Sequence, residues 1–290
     1  MKVDVISPYG YCAGVISALN KAKKAKAIHP DADIYLLGML VHNEETVEEL
    51  SKLGLKVIDE KKVDLLEALR GIEEGSYVIF SAHGHPKAYE EIARERKIKT
   101  IDSTCVFVKE NEEAALSDLS KGKKVIYLGS KGHLETTGFL ANVKAASFFD
   151  VKAKTLEKRK PLGETTDPIV YSQTTLSLDE VNMALDILKG RYPNLTLGRL
   201  RCHSTTLRQN AILSLPNEVE AVIVLGSKTS NNSVKLFELA KRRNKPAFLC
   251  LNKEEVRKLD LKRFSYVALA SGASTSRENF FAVKEYLESL

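Results

Sequence analysis

The fold is decided by a stretch near the middle of the chain, KTIDSTCVFVKENEEAALSDL, which spans residues 99–119. It runs from a β-rich segment through Cys105 into a segment of helical character. The same order recurs around Cys12, between VDVIS and AGVISALNKAKKAKAI, and around Cys202, between LTLGRL and HSTTLRQNAILSL. These three cysteines divide the 290 residues into near-equal thirds. The recurrence predicts three similar units, each delivering one thiolate to a shared centre.

The position of each cysteine at the start of a helix has a chemical consequence. The positive end of the helix dipole favours the thiolate, which is the form that ligates metal. Three thiolates at one point would repel each other unless a multivalent cation lay among them. Cys250 lies inside the apolar run AFLCLN and is predicted to be structural.

Length and composition limit the class of protein. A chain of 290 residues is expected to divide into two or three lobes. Four cysteines without paired spacing indicate metal binding or thiols in a reducing compartment. The start MKVDVISPYG lacks a signal-peptide pattern, and no long apolar run follows, so we expect a cytoplasmic protein without a membrane span.

The net charge of +6 is modest, and aromatic residues make up only 7% of the chain. The basic runs at 21–26 and 241–245 are interpreted as solvated helix faces. Nucleic-acid binding is therefore not expected. A mild positive field would still attract an anionic substrate or an acidic redox partner.

Short β-rich runs alternate with helical patterns along the whole chain, which predicts an α/β protein with parallel sheets. The three predicted lobes span residues 12–104, 105–201 and 202–290. The last lobe shows only two clear strands, so we expect the strand in 1–11 to be added to it.

Polar residues cluster after the predicted strands, where open α/β sheets place ligands. His42, His83 and His133 each follow a strand, and Glu135 is the carboxylate closest to this group. Hydroxyl-rich clusters lie at 172–175, 227–233 and 271–276. The last two lie between a strand and a helix and are expected to provide donors for phosphate oxygens, although helix capping is the alternative for such turns. His29 and His85 are expected at the surface or at helix starts. The chain has no Walker-type loop and no GxGxxG motif.

Nine short motifs in order resemble the 4-hydroxy-3-methylbut-2-enyl diphosphate reductase family across essentially the whole chain. They are GYCAGV (10–15), VHN (41–43), SAHG (81–84), DSTC (102–105), GHLE (132–135), QTT (173–175), Cys202 with RQ (208–209), SNN (230–232) and GAS (272–274). Each motif is weak alone, whereas the ordered set is specific.

The resemblance implies three βαβ lobes in a pseudo-threefold arrangement around a central four-iron, four-sulfur cluster. Its three cysteine ligands would be Cys12, Cys105 and Cys202, with the fourth iron open. The substrate would be an allylic alcohol diphosphate, reduced to isopentenyl or dimethylallyl diphosphate by a separate donor, ferredoxin or flavodoxin. Glu135 would feed protons. The implied substrate-binding residues are His42, His83, His133, Thr174, Ser230, Asn231, Asn232 and Ser274.

Four residues depart from the family pattern, namely Asn231, Val106, Thr137 and Phe139. Asn231 replaces a usual serine and can still donate to phosphate. Two alternatives to the enzyme remain open, a zinc hydrolase and a non-catalytic iron–sulfur sensor, as does a paralogue acting on a related diphosphate. The absence of an HExxH motif argues against the hydrolase.

Overall fold

The computed structural model describes residues 1–158, 167–198, 202–243 and 245–290. Strands and helices alternate along these ranges. The strands are β1 (Lys2–Val5), β2 (Ile34–Leu37), β3 (Lys56–Ile58), β4 (Tyr77–Phe80), β5 (Lys99–Asp102), β6 (Val125–Gly129), β7 (Ser147–Asp150), β8 (Thr155–Glu157), β9 (Ile169–Ser172), β10 (Thr196–Leu197), β11 (Ala221–Leu225), β12 (Ala247–Cys250) and β13 (Tyr266–Ser271). The helices are α1 (Ala13–Ile28), α2 (Glu44–Lys52), α3 (Leu65–Gly71), α4 (Ala88–Glu95), α5 (Val106–Ser120), α6 (Leu134–Asn142), α7 (Leu178–Lys189), α8 (His203–Leu213), α9 (Asn231–Arg242), α10 (Lys253–Arg257) and α11 (Arg277–Glu288).

The first unit comprises Met1–Ile16, Val41–Glu49 and His203–Leu290. Its sheet has the strand order β1-β13-β11-β12, and every neighbouring pair is parallel. Successive side chains of β11 enter different cores: Val222 and Val224 pack with α8 and α9, whereas Ile223 and Leu225 pack with α10 and α11. This sheet is therefore covered on both faces, as parallel sheets usually are. Because helices cover both faces, a ligand site on this sheet is expected in the polar loops at the carboxyl ends of its strands.

The second unit comprises Ser17–Leu40 and Leu50–Cys202, and within its described residues it holds two sheets. One has the order β3-β2-β4-β5 and is parallel throughout. The other has the order β10-β9-β6-β7-β8 and is parallel except for the β7–β8 pair. Its central strand β6 is buried along its whole length.

The structure confirms the predicted α/β class with parallel sheets. β1 pairs with β13, with Lys2 opposite Tyr266. The expectation of two strands after residue 202 was wrong, because β11, β12 and β13 all lie there. The antiparallel β7–β8 pair was not expected. The three lobe boundaries stay a prediction. In the ranges given above, no helix is long and apolar enough to cross a membrane.

Candidate active site

Each of the three predicted metal-binding cysteines lies at the start of a helix. Cys12 precedes α1, Cys105 is the N-cap residue of α5, and Cys202 precedes α8. All three are half-buried, and none forms a disulfide. Cys250 differs, because it lies in the core against α10 and α11, where burial raises the pKa of its thiol to about 11. Three accessible thiols at helix starts fit a thiophilic metal group, and Cys250 does not.

The backbone amides of these cysteines share a second feature. The amide of Cys12 donates to the carbonyl of Ala273 at 3.0 Å, and the amide of Cys105 donates to that of Ala82 at 3.0 Å. The amide of Cys202 donates to the carbonyl of Thr174 at 3.3 Å. Each acceptor follows a strand, respectively β13, β4 and β9. Each cysteine is thus bonded to a loop that carries a predicted substrate-binding residue.

In the second unit, Glu135 and Thr174 form a paired contact. Oε1 of Glu135 accepts from the Thr174 amide at 2.7 Å, and Oε2 accepts from the Thr174 hydroxyl at 2.8 Å. Glu135 lies in the first turn of α6 and is only 2% exposed. Burial raises the pKa of its carboxyl to about 7, and the two bonds from Thr174 oppose that rise. Glu135 therefore has the protonation behaviour of a general acid near neutral pH.

Tyr127 on β6 lies close enough to this carboxyl to affect its pKa and was not identified from the sequence. It is fully buried, and its ring stacks on Phe139 with centroids 3.9 Å apart. Its hydroxyl slightly lowers the pKa of Glu135, although the geometry falls short of a full hydrogen bond. The family departure at Phe139 therefore packs against a residue that faces the acid. A tyrosine within the otherwise apolar run VIYLG (125–129) was the available signal.

Gln173 organises the polar side chains around the Thr174 loop. Its Oε1 accepts from the Ser130 amide at 3.0 Å and from the Thr136 hydroxyl at 3.3 Å. Its Nε2 donates to the Thr175 hydroxyl at 2.8 Å. Gln173 is completely buried, so these bonds fix the loop that presents Thr174.

The structure brings His83 and His133 together within the second unit, with ring centroids 5.5 Å apart and rings nearly perpendicular. His133 is the N-cap residue of α6, and its Nδ1 accepts from the Glu135 amide at 3.2 Å. A neutral His133 therefore carries its proton on Nε2, which is the nitrogen that can donate to a ligand. His85 lies just before α4, as the helix-start alternative predicted, and its ring is mostly buried on Phe80, 3.7 Å between centroids, so the surface alternative was wrong.

The other predicted substrate-binding residues, Ser230, Asn231, Asn232, Ser274 and His42, lie in the first unit. Ser230 caps α9, and its hydroxyl accepts from the Ser233 amide at 3.4 Å. The Ser274 hydroxyl donates to the His42 carbonyl at 3.1 Å. Asn232 is 4% exposed, and within the described part of the chain neither atom of its side-chain amide has a hydrogen-bond partner.

An unsatisfied amide at the start of a twelve-residue helix indicates a ligand site. Buried polar groups are normally paired, and the first amides of a helix attract anions. Both observations concern the same turn of α9. The turn around Asn232 is therefore suited to an anion that accepts hydrogen bonds.

Two glycines allow the start of α9 to approach the ends of β11 and β13. A Cβ atom at Gly226 would lie 2.2 Å from the Ser233 hydroxyl oxygen, and one at Gly272 would lie 2.0 Å from it. Neither distance is possible for real atoms, so both positions require glycine. Gly272 belongs to the GAS motif, and its role is to admit this helix.

Not every hydroxyl of the 227–233 turn is open to a ligand. Glu44, at the start of α2, accepts from the Ser227 hydroxyl at 2.9 Å and from the Thr229 hydroxyl at 3.2 Å. These two side chains hold the His42-bearing segment against the turn. Their predicted contribution to anion binding is replaced by this structural role.

The fold defines an α/β protein, and three features of it are those of an enzyme site: accessible thiols, a buried acid and a helix start suited to an anion. A family model described as LytB protein matches residues 3–288, and the chain belongs to this family. It is therefore an oxidoreductase, as the sequence resemblance predicted.

Individual relatives agree with this assignment. The chain is 35% identical over 290 residues to the 4-hydroxy-3-methylbut-2-enyl diphosphate reductase of Symbiobacterium thermophilum, covering 99% of this chain and 97% of that protein. It is 31% identical over 284 residues to the enzyme of the same name from Malacoplasma penetrans, covering 95% and 93%. The solved E-1-hydroxy-2-methyl-but-2-enyl-4-diphosphate reductase of Plasmodium falciparum superposes with a TM-score of 0.85 at 28% identity, covering 100% of this chain and 87% of that chain.

Proposed function

We propose that this protein reductively removes the hydroxyl group of 4-hydroxy-3-methylbut-2-enyl diphosphate and releases isopentenyl and dimethylallyl diphosphate. In the net reaction one C–O bond breaks, one C–H bond forms, and two electrons and two protons are consumed as water leaves. The names of the relatives support this substrate. The observation that carries the proposal is the fully buried Glu135, with its pKa near 7 and both carboxyl oxygens on Thr174.

The cofactor of the proposal is a four-iron, four-sulfur cluster held by Cys12, Cys105 and Cys202. Thiolates are the usual protein ligands of such clusters, and the three cysteines are accessible at helix starts. When bound, the cluster supplies electrons and, through an iron without a cysteine ligand, a Lewis acid for a substrate oxygen. The buried Cys250, with its raised pKa, is excluded as a ligand.

Glu135 and Thr174 have separate roles in the proposed reaction. Hydroxide is a poor leaving group, so the hydroxyl must gain a proton as it departs. Glu135 in its acid form donates that proton, and burial raises its pKa enough to populate this form near neutrality. Thr174 holds the two carboxyl oxygens of Glu135 in place. Its own hydroxyl lies beside them as the group that exchanges a proton with the carboxyl.

The diphosphate is assigned to the turn of α9 together with the histidines. Asn232 offers an unsatisfied amide, and Ser230 and Asn231 add donors on the same unit. Ser274 would join them by turning its hydroxyl from the His42 carbonyl to a phosphate oxygen. His42, His83 and His133 contribute ring N–H groups, which donate to the negatively charged phosphate oxygens. Spreading several donors over the diphosphate suits its charge and its number of oxygens.

The lobes at 12–104, 105–201 and 202–290, with strand 1–11 joined to the last, complete the proposal. The pairing of β1 with β13 supports the joined strand. Electrons are proposed to come from a separate ferredoxin or flavodoxin. A net charge of +6 suits an acidic carrier of this kind.

The test is anaerobic purification followed by iron and acid-labile sulfide analysis, and turnover with the allylic diphosphate and an artificial reductant. The proposal expects both the cluster and the two products. Zinc without sulfide would favour a hydrolase, and a cluster without turnover would favour a sensor. The acid Glu135 has no purpose in a sensor, which is the structural reason to prefer the enzyme.

A further inference from the structure

Arg208 is a buried cation that the reaction described above does not use. It lies on α8, the helix that begins directly after Cys202, and it is 3% exposed. Its Nη1 donates to the Pro8 carbonyl at 3.1 Å, and its Nη2 donates to the Gly10 carbonyl. These acceptors are about 200 residues away in sequence, in the loop that leads to Cys12.

The loop from Pro8 to Cys12 is held by the segment at the end of β13 as well. The Gly10 amide donates to the Ser271 hydroxyl at 3.0 Å, and the Cys12 amide donates to the Ala273 carbonyl at 3.0 Å. Gly10 adopts φ +77°, a left-handed conformation that glycine accepts without strain. With the carbonyls on Arg208 and the amides on the β13 end, the loop is anchored along its length before any metal binds.

The planar fork of a guanidinium suits this task. Arginine donates through two nitrogens in a fixed geometry and keeps its charge at all relevant pH values, whereas lysine offers one flexible ammonium. Because Gly10 is two residues from Cys12, the guanidinium lies within about 12 Å of the Cys12 Cα. A positive charge in a buried position acts strongly at that range, since little water screens it.

We propose that Arg208 is a positioning residue for the cluster of the proposed function: it holds the Cys12 loop in its ligating conformation, and its charge favours the reduced, more negative state of the group bound there. The inference rests on the proposed function for its second part only. The first part concerns the metal-free chain and is testable without a cluster.

The experiment compares Arg208→Lys and Arg208→Gln with the parent. Arg70→Gln on α3 is the control, since it removes the same charge from an exposed pair with Glu67. In metal-free protein, hydrogen exchange at the Gly10 and Cys12 amides should accelerate by about 10-fold to 100-fold in both Arg208 variants, because a charged hydrogen bond that limits local opening is lost. Arg70→Gln should leave these amides unchanged.

In anaerobically reconstituted protein, the midpoint potential should become more negative in Arg208→Gln and remain near the parent value in Arg208→Lys, which retains the charge. Unchanged hydrogen exchange in both Arg208 variants would overturn the proposal that Arg208 holds the Cys12 loop. A midpoint potential in Arg208→Gln equal to that of the Arg70→Gln control would overturn the electrostatic part of the proposal. If Arg208→Gln does not fold, hydrogen exchange in Arg208→Lys alone decides whether Arg208 holds the loop. Absence of any cluster in the parent would refute the proposed function while leaving the exchange result valid.

Discussion

Replacing Glu135 by glutamine tests the central acid through stability as well as through rate. The variant keeps the shape of the side chain and its hydrogen bonds with Thr174, since an amide accepts from the backbone and the threonine hydroxyl can reverse its role. It removes the titrating proton. Any pH dependence that the parent shows and the variant lacks is therefore due to this carboxyl.

The sign and the size of this pH dependence of stability follow from the raised pKa of Glu135. The carboxyl has an ordinary value of 4.5 and a value of about 7 in the folded protein. Between these values the folded state holds a proton that the unfolded state has lost, so stability falls as pH rises through this window and levels off above it. A shift of this size corresponds to about 3 kcal/mol, because each pKa unit is worth about 1.4 kcal/mol. The Glu135→Gln variant should not show this loss.

The assay is urea unfolding of the metal-free parent and variant at several pH values from about 4 to about 8, analysed as the difference between the two curves. Other titrating groups cancel in that difference, which should grow by about 3 kcal/mol in favour of the variant. Turnover of the reconstituted variant should fall about 10²-fold to 10⁴-fold, the usual range for a general acid, while cluster content and substrate binding persist. Glu67→Gln, at an exposed position on α3, is the control for turnover. Parallel stability curves together with near-normal turnover would refute the assignment of Glu135.

Three further outcomes are expected. Replacing any one of Cys12, Cys105 and Cys202 by serine should abolish most of the cluster content, measured as iron and sulfide, whereas Cys250→Ser should retain it. The reverse pattern would refute the ligand assignment. Asn232→Ala should weaken diphosphate binding by about 1.5–3 kcal/mol in calorimetric titration but leave ligand-free stability intact, since its amide has no partners there to lose. Gly272→Ala should destabilise the chain by about 1–3 kcal/mol in thermal unfolding, and Ser233→Ala in the same chain should recover part of that loss; additive losses would contradict the predicted clash.

The alternation of strands and helices predicted the α/β class, because periodicity and turn residues act locally. The same local logic placed Cys12, Cys105 and Cys202 at helix starts. The Glu135–Thr174 contact depends on residues 39 positions apart, and nothing in either segment specifies its partner. The contact of Arg208 with the Cys12 loop depends on still larger separations. Such contacts arise from how strands order themselves in a sheet, and the sequence pattern does not encode that order directly.

Errors at single residues have the same origin. His85 precedes a proline and a charged helix, which is a typical surface pattern, but its ring stacks on Phe80. Ser227 and Thr229 have the composition of a phosphate-binding turn, but Glu44 from a distant helix accepts their hydrogen bonds. For His85 the local pattern was correct about the helix start and wrong about exposure. For Ser227 and Thr229 it was correct about the type of donor and wrong about the hydrogen-bond partner.

Each cysteine of the threefold sequence pattern is attached by its backbone amide to the carbonyl of a loop that follows a strand. Each acceptor is either a predicted substrate-binding residue or its neighbour in the chain, and each accepts from the amide of a predicted metal ligand. The acceptors are Ala273, Ala82 and Thr174. A shift of any one of these loops on binding substrate must therefore move the attached cysteine or break the bond. Glu135 is linked to the third of these hydrogen bonds, because its carboxyl accepts from both the amide and the hydroxyl of Thr174. The protonation state of one buried acid is thus connected, through a single threonine, to the position of Cys202.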